Sequence, residues 1–155
     1  MIFREEIGDL FEVPESYALA HCISADFALG AGIAKEFDKR FNCRNDLYNN
    51  YRYSTIRVGS CAPTQHKNRK ILNLITKVHY YNKPMLGSLV FALSDMKKIC
   101  TEFDIKKIAM PRIGCGLDKL KWKDVKTAIL TVFDNTDIEI VVYTLPKNIR
   151  RSCDV

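Results

Sequence analysis

Ile138-Glu139-Ile140-Val141-Val142-Tyr143-Thr144-Leu145 is rich in β-branched residues and apolar almost without a break. Such a run is expected of a strand covered on both faces. Working back towards the amino terminus, shorter apolar runs read as strands at 2–7, 17–23, 56–61, 71–75 and 105–110. Lys67-Asn68-Arg69 marks a turn between the third and fourth of these. Helical spacing fills the intervals. Ile33, Phe37 and Phe41 form one apolar stripe, and Leu89, Leu93, Met96, Cys100 and Phe103 form a longer one after Pro84. Val125, Ala128, Ile129, Val132 and Phe133 form a third. Strands alternating with helices predict a three-layer α/β/α domain around a mixed sheet of about six strands.

The 155 residues suit a single domain, and 47% hydrophobic with 27% charged side chains is an ordinary globular composition. No apolar run approaches a membrane span, and Met1-Ile2-Phe3-Arg4-Glu5-Glu6 is no signal peptide. A soluble, intracellular protein is therefore expected. Cys22, Cys43, Cys61, Cys100, Cys115 and Cys153 are widely spread, without a C-x-x-C pair or a histidine at ligand spacing. Reduced thiols and no metal are expected. The net charge of +6 favours an anionic partner. Two basic stretches stand out, 66–70 and the tail from Lys147 to Arg151. Each reads either as a solvated hairpin tip or terminus, or as a contact for nucleic acid.

In open α/β sheets, ligands bind at the carboxyl ends of the strands. Two glycine-rich turns fall there: Leu29-Gly30-Ala31-Gly32-Ile33 after the second strand, and Arg112-Ile113-Gly114-Cys115-Gly116-Leu117-Asp118 after the fifth. Glycines let backbone N–H groups approach a phosphate, and a helix N-terminus adds favourable partial charge. Either turn alone is as readily a plain tight turn, and neither matches a P-loop or a dinucleotide fingerprint. Lys77 closes the fourth strand, where a lysine can simply snorkel into solvent. Asp118 is equally a turn residue, His21 a core histidine and Trp122 a packing residue. Asp9, after the first strand, either terminates it or accepts a hydrogen bond from an adenine amino group. The residues by themselves describe a small α/β domain whose two glycine turns are either a nucleotide diphosphate cradle or plain tight turns.

The segments Gly8-Asp9-Leu10-Phe11, Leu19-Ala20-His21-Cys22-Ile23-Ser24-Ala25-Asp26, Gly30-Ala31-Gly32-Ile33-Ala34, Leu74-Ile75-Thr76-Lys77, Met110 to Asp118 and Val142-Tyr143-Thr144-Leu145 occur in this order. Together they resemble a macrodomain of the terminal ADP-ribose protein glycohydrolase branch. The resemblance covers about residues 2 to 145. It implies a macrodomain over residues 1–146, followed by a basic tail over 147–155. It also implies an ADP-ribose site. Asp9 would hold the adenine amino group, with Leu10 beside the base. Gly30, Ala31, Gly32 and Ile33 would line one side of the diphosphate, and Ile113, Gly114, Cys115, Gly116 and Leu117 the other. Cys22, Ser24, Thr76 and Arg112 complete the expected ligand set, Ser24 lying near the distal ribose.

Lys77 matches the branch's catalytic lysine and Asp118 its acidic partner. The water-activating stretch of the other hydrolytic branch is absent, since His21-Cys22-Ile23-Ser24 stands in its place. Lys83-Pro84-Met85-Leu86-Gly87 departs from the polar and aromatic residues usual in this branch, which bears on leaving-group preference. The resemblance implies hydrolysis of ADP-ribose from glutamate or aspartate through a lysine nucleophile, with O-acyl-ADP-ribose as a further substrate. A non-catalytic reader of ADP-ribosylated protein, or a hydrolase of ADP-ribosylated DNA bases, are the alternatives. ADP-ribose would be ligand and product, with no cofactor. The partners expected are mono-ADP-ribosylated proteins, with poly-ADP-ribose or nucleic acid on the basic hairpin and tail. A monomer in cytoplasm or nucleus is expected, and the Lys, Asn and Ile richness suits an AT-rich, even viral, genome.

Overall fold

A computed structural model describes residues 1–54, 56–117, 119–147 and 149. Asp118, most of the basic tail and Cys153 lie outside the described residues. The strands are β1 (Ile2–Ile7), β2 (Ala18–Ser24), β3 (Ser60–His66), β4 (Arg69–Lys77), β5 (Lys107–Met110) and β6 (Glu139–Thr144). Among the described residues the helices are α1 (Gly32–Phe41), α2 (Cys43–Tyr51), α3 (Leu86–Glu102) and α4 (Trp122–Val132). None is long and apolar enough to cross a membrane. The strands form one six-stranded sheet in the order β1-β6-β5-β2-β4-β3, with β3 antiparallel to β4 and every other pairing parallel.

Period-two alternation sorts the central strands between two cores. Ala18, Ala20, Leu72, Leu74, Ile108, Met110, Ile140 and Val142 pack with Leu89, Leu93 and Met96 of α3 and Val125 and Ile129 of α4. Leu19, Ile23, Ile71, Ile75 and Ala109 pack on the opposite face with Phe37 of α1 and Cys43 and Leu47 of α2. This is the three-layer arrangement that the continuous apolar strands require. The five described cysteines carry free thiols, and burial pushes the Cys43 and Cys100 thiols up to about 12.

Three elements depart from the sequence reading. The strand expected at 56–61 lies at Ser60–His66, where the residues have little strand propensity of their own. It is specified by pairing with β4, and its outer edge is satisfied locally. Cys61 N donates to Asp95 Oδ2 at 2.7 Å, and Pro63 O accepts Tyr51 Oη–H at 2.6 Å. Pro63 sits two residues from Cys61, so its missing N–H falls on the outer edge and removes no ladder bond. The helix α2 carries no apolar stripe in the sequence, because Cys43 and Leu47 are its only fully buried residues. The basic hairpin is a smaller patch than its sequence suggests. The turn is Lys67-Asn68, whereas Arg69 begins β4 and is 8% exposed. Its guanidinium donates to the carbonyls of Val13, Pro14 and Tyr17 at 2.8, 2.7 and 2.9 Å. Arg69 is thus a structural tie and is not available to a polyanion.

Candidate functional site

The carboxyl ends of β1, β6, β5, β2 and β4 all lie at one end of the sheet because these strands are parallel. In strand order they present Ile7, Thr144, Met110, Ser24 and Lys77. At the usual inter-strand spacing this row is roughly 19 Å long. The chain leaves β2 for a helix on one face and leaves the adjacent β5 for a helix on the other. The two connecting loops therefore part, which is the topological switch point where open α/β sheets bind ligands.

Both glycine turns stand at that point. Gly30 and Ala31 are exposed, and α1 starts at Gly32 with no side chain capping its first N–H groups. An uncapped helix start of this kind favours an anion. Gly32 has φ +59°, and a Cβ there would lie 2.9 Å from Leu117 Cδ1, so the two loops touch across the crevice. The second loop is held by Cys115 N to Arg112 O at 3.1 Å and Leu120 N to Gly114 O at 2.7 Å. Gly114 has φ +72°, and a Cβ would meet Leu120 Cδ1 at 2.9 Å. Gly30 and Gly116 differ from these two. Neither adopts the left-handed conformation, and a Cβ on Gly116 would meet no atom of the described residues within 4 Å. The fold demands glycine at 32 and 114 and leaves the backbone at 30 and 116 open to approach.

Asp9 stands at the far end of the row, beyond β1. It caps the 3-10 turn Leu10–Glu12, with Oδ1 accepting from Phe11 N at 3.0 Å. Tyr143 of β6 lies alongside, its ring 3.5 Å from where a Cβ on Gly8 would stand. Lys77 stands at the other end, half-buried and paired in register with Ser24 across a β-bulge.

The profile of the Macro domain family matches residues 20–129, from the middle of β2 to the middle of α4. The chain belongs to the Macro domain family. It is 44% identical to the human protein named ADP-ribose glycohydrolase OARD1 over 138 residues, 89% of this chain and 88% of that one. It is 25% identical to the Mycobacterium tuberculosis protein named DNA ADP-ribosyl glycohydrolase, across 88% of this chain but 40% of that one. Among solved structures, the macrodomain of Thermus aquaticus DarG superposes with a TM-score of 0.83 at 23% identity, covering 92% of this chain and 98% of that one. That likeness confirms the α/β macrodomain fold.

The remaining expected site residues of this macrodomain are less uniformly placed. The Ile113 side chain is in the core, and Leu10 has no exposed surface. Ile33, Cys22 and Cys115 are half-buried, and Leu117 is 69% exposed. Burial raises the Cys115 thiol pKa, with Arg112 acting in the opposite sense. Thr76 is buried beside Lys77, and its Oγ1 has no partner among the described residues. Arg112 lies 3.9 Å from Glu5, with its guanidinium over the Trp122 ring at 5.4 Å. Trp122 is more than packing, since its Nε1–H donates to Glu5 at 2.8 Å. Asp118 lies outside the described residues.

His21 is a core histidine, stacked on Phe37 at 3.8 Å and bonded through Nε2 to Asn73 Oδ1 at 2.5 Å. Burial lowers its pKa from 6.5 to about 4, with the Asn73 bond opposing, so it is neutral at physiological pH. Asp26, at the loop after β2, accepts hydrogen bonds from Ser24 Oγ, Ala28 N and Tyr80 N, and its place in the sequence singles it out less than the glycine turns do. Its Ser-x-Asp spacing just past a strand end is the signal that could have found it. Beyond Lys77, the rim carries exposed rings: Tyr80 is 66% and Tyr81 68% exposed, and His79 stacks on Tyr81 at 5.1 Å.

Proposed function

We propose that this macrodomain hydrolyses ADP-ribose from modified glutamate or aspartate side chains, with Lys77 as nucleophile. The observation that carries this reading is the linear order along the sheet end: Asp9, the two glycine loops, then Lys77. That order suits an extended nucleoside diphosphate sugar, with adenine at Asp9, diphosphate on the loops, and the distal ribose before an amine. A protein that merely binds ADP-ribose has no use for the lysine. The 44% identity to a protein named ADP-ribose glycohydrolase OARD1 points the same way.

In its free-base form the Lys77 amine attacks the anomeric carbon of the distal ribose. The bond from that carbon to the ester oxygen breaks, and the glutamate carboxylate leaves with the bonding pair. Water then cleaves the carbon–nitrogen bond, releasing ADP-ribose and restoring the amine. Asp118, matched to the acidic partner by resemblance, accepts the lysine proton during attack and assists release. O-acyl-ADP-ribose acylated on its anomeric oxygen presents the same ester and would follow the same route.

A second reading has one observation in its favour. The exposed rings of His79, Tyr80 and Tyr81 follow directly on Lys77 and offer a stacking surface to a nucleobase. ADP-ribosylated DNA bases are the substrate class this favours.

Mass spectrometry of ADP-ribose released from a glutamyl-ADP-ribosylated protein tests the main reading. The wild type should turn over, whereas Lys77→Ala should bind free ADP-ribose and release none. Lys77→Arg should also fail, because a guanidinium keeps its charge and cannot act as an amine nucleophile. Full hydrolysis by Lys77→Ala would overturn the lysine mechanism. Wild-type binding without turnover on protein, but with turnover on ADP-ribosylated single-stranded DNA, would select the second reading.

A further inference from the structure

The segment carrying Lys77 is held by the loop that follows β2. Lys77 O accepts from Ala25 N at 2.8 Å. Three residues on, Tyr80 N donates to Asp26 Oδ2 at 2.9 Å. The other oxygen of the same carboxylate accepts from Ser24 Oγ at 2.5 Å and from Ala28 N at 3.1 Å. One side chain thus joins the end of β2, the turn leading to the glycine loop, and the backbone just past Lys77.

Burial by itself would raise the Asp26 pKa, but the hydrogen bonds from Ser24, Tyr80 and Ala28 outweigh it and leave the pKa below the ordinary value. The carboxylate stays ionised at neutral pH, and its hydrogen bonds are charge-assisted and correspondingly strong. Among the described residues, the segment it clasps has few other anchors before the buried Pro84. Val78, His79, Tyr80, Tyr81 and Met85 are all exposed. The bonds of His79 N to Asn82 Oδ1 at 2.9 Å and Asn82 N to His79 O at 3.0 Å are internal to the segment.

We infer that Asp26 is a positioning residue for Lys77. It clasps residues 78–80 to the loop after β2 and so fixes the direction in which the lysine leaves the sheet. The inference rests on the reading of Lys77 as nucleophile. Asp26 is not assigned any contact with substrate. A misplacement of about 1 Å at a reacting group costs up to about 100-fold in rate, and little in the binding of a ligand held elsewhere.

The test compares Asp26→Ala and Asp26→Asn with the wild type, measuring kcat for ADP-ribose release, Kd for free ADP-ribose, and thermal stability. Asp26→Ala should lose about 10- to 100-fold in kcat with Kd changed less than about threefold. Asp26→Asn, which keeps an acceptor but loses the charge, should recover part of that loss. A folded Asp26→Ala with wild-type kcat would overturn the inference. So would losses in kcat and Kd of equal size, because these would mark a general loosening of the fold. If Asp26→Ala melts below the assay temperature, a folded Asp26→Asn decides alone: its kcat must fall while its Kd does not. Lys77→Ala, run alongside, separates the two ideas. Hydrolysis by Lys77→Ala removes the nucleophile reading itself, whereas an inactive Lys77→Ala beside a fully active Asp26→Ala removes only the clasp.

Discussion

Substituting the glycines of the second loop one at a time separates what the fold needs from what a ligand needs. Gly114→Ala forces a side chain into φ +72°, with its Cβ 2.9 Å from Leu120 Cδ1. The left-handed conformation costs an L-residue about 1–2 kcal/mol. Leu120 must also shift, although the atom met is the end of a flexible side chain. A loss of about 2 kcal/mol follows, or about 4–8 °C in Tm for a chain of this size. Gly116→Ala meets none of the described residues within 4 Å and adopts an ordinary backbone conformation, so its Tm should stay within about 2 °C of wild type.

Binding should rank the two variants differently. A methyl on Gly116 projects into space that no described residue fills, and it should weaken ADP-ribose by about tenfold or more, roughly 1.4 kcal/mol. Differential scanning fluorimetry gives the stabilities, and isothermal titration with ADP-ribose gives the affinities. A stable Gly116→Ala protein with wild-type affinity would remove this loop from the diphosphate site. A Gly114→Ala protein as stable as wild type would show that the strain argument is wrong. Loss of binding in Gly114→Ala by itself says little, because loosening of the loop imitates loss of contact.

Two further outcomes follow from buried groups away from the crevice. Arg69→Met should cost about 3 kcal/mol in urea denaturation, because three carbonyls lose a charged donor; a loss below about 1 kcal/mol would mean that water replaces it freely. His21, with its pKa lowered from 6.5 to about 4, binds its proton more readily when unfolded. Stability is therefore full above pH 6.5 and falls by about 3 kcal/mol as pH drops to 4. An NMR titration that placed the His21 pKa near 6.5 would refute the burial argument.

Fold class was legible in the sequence because burial on two faces leaves a mark that needs no partner to read. The run from Ile138 to Leu145 and the helical stripes of α1, α3 and α4 carry their periodicity within themselves. The motifs that resemble a macrodomain were equally legible, since glycine turns and strand-end residues stand at fixed positions along the chain. What the sequence could not show was anything decided by a distant partner. β3 is a strand because β4 lies beside it, and its own residues favour no strand. Arg69 reads as part of a basic patch until the carbonyls of Val13, Pro14 and Tyr17 close around it. Four glycines look alike in the chain, yet only the backbone path and the approach of Leu117 and Leu120 separate the two that the fold requires from the two it does not. Asp26 and Tyr80 are 54 residues apart and meet only once β2 and β4 are paired. Local periodicity determined the layers of this protein, and the pairing of strands distant in sequence decided which side chains stand around Lys77.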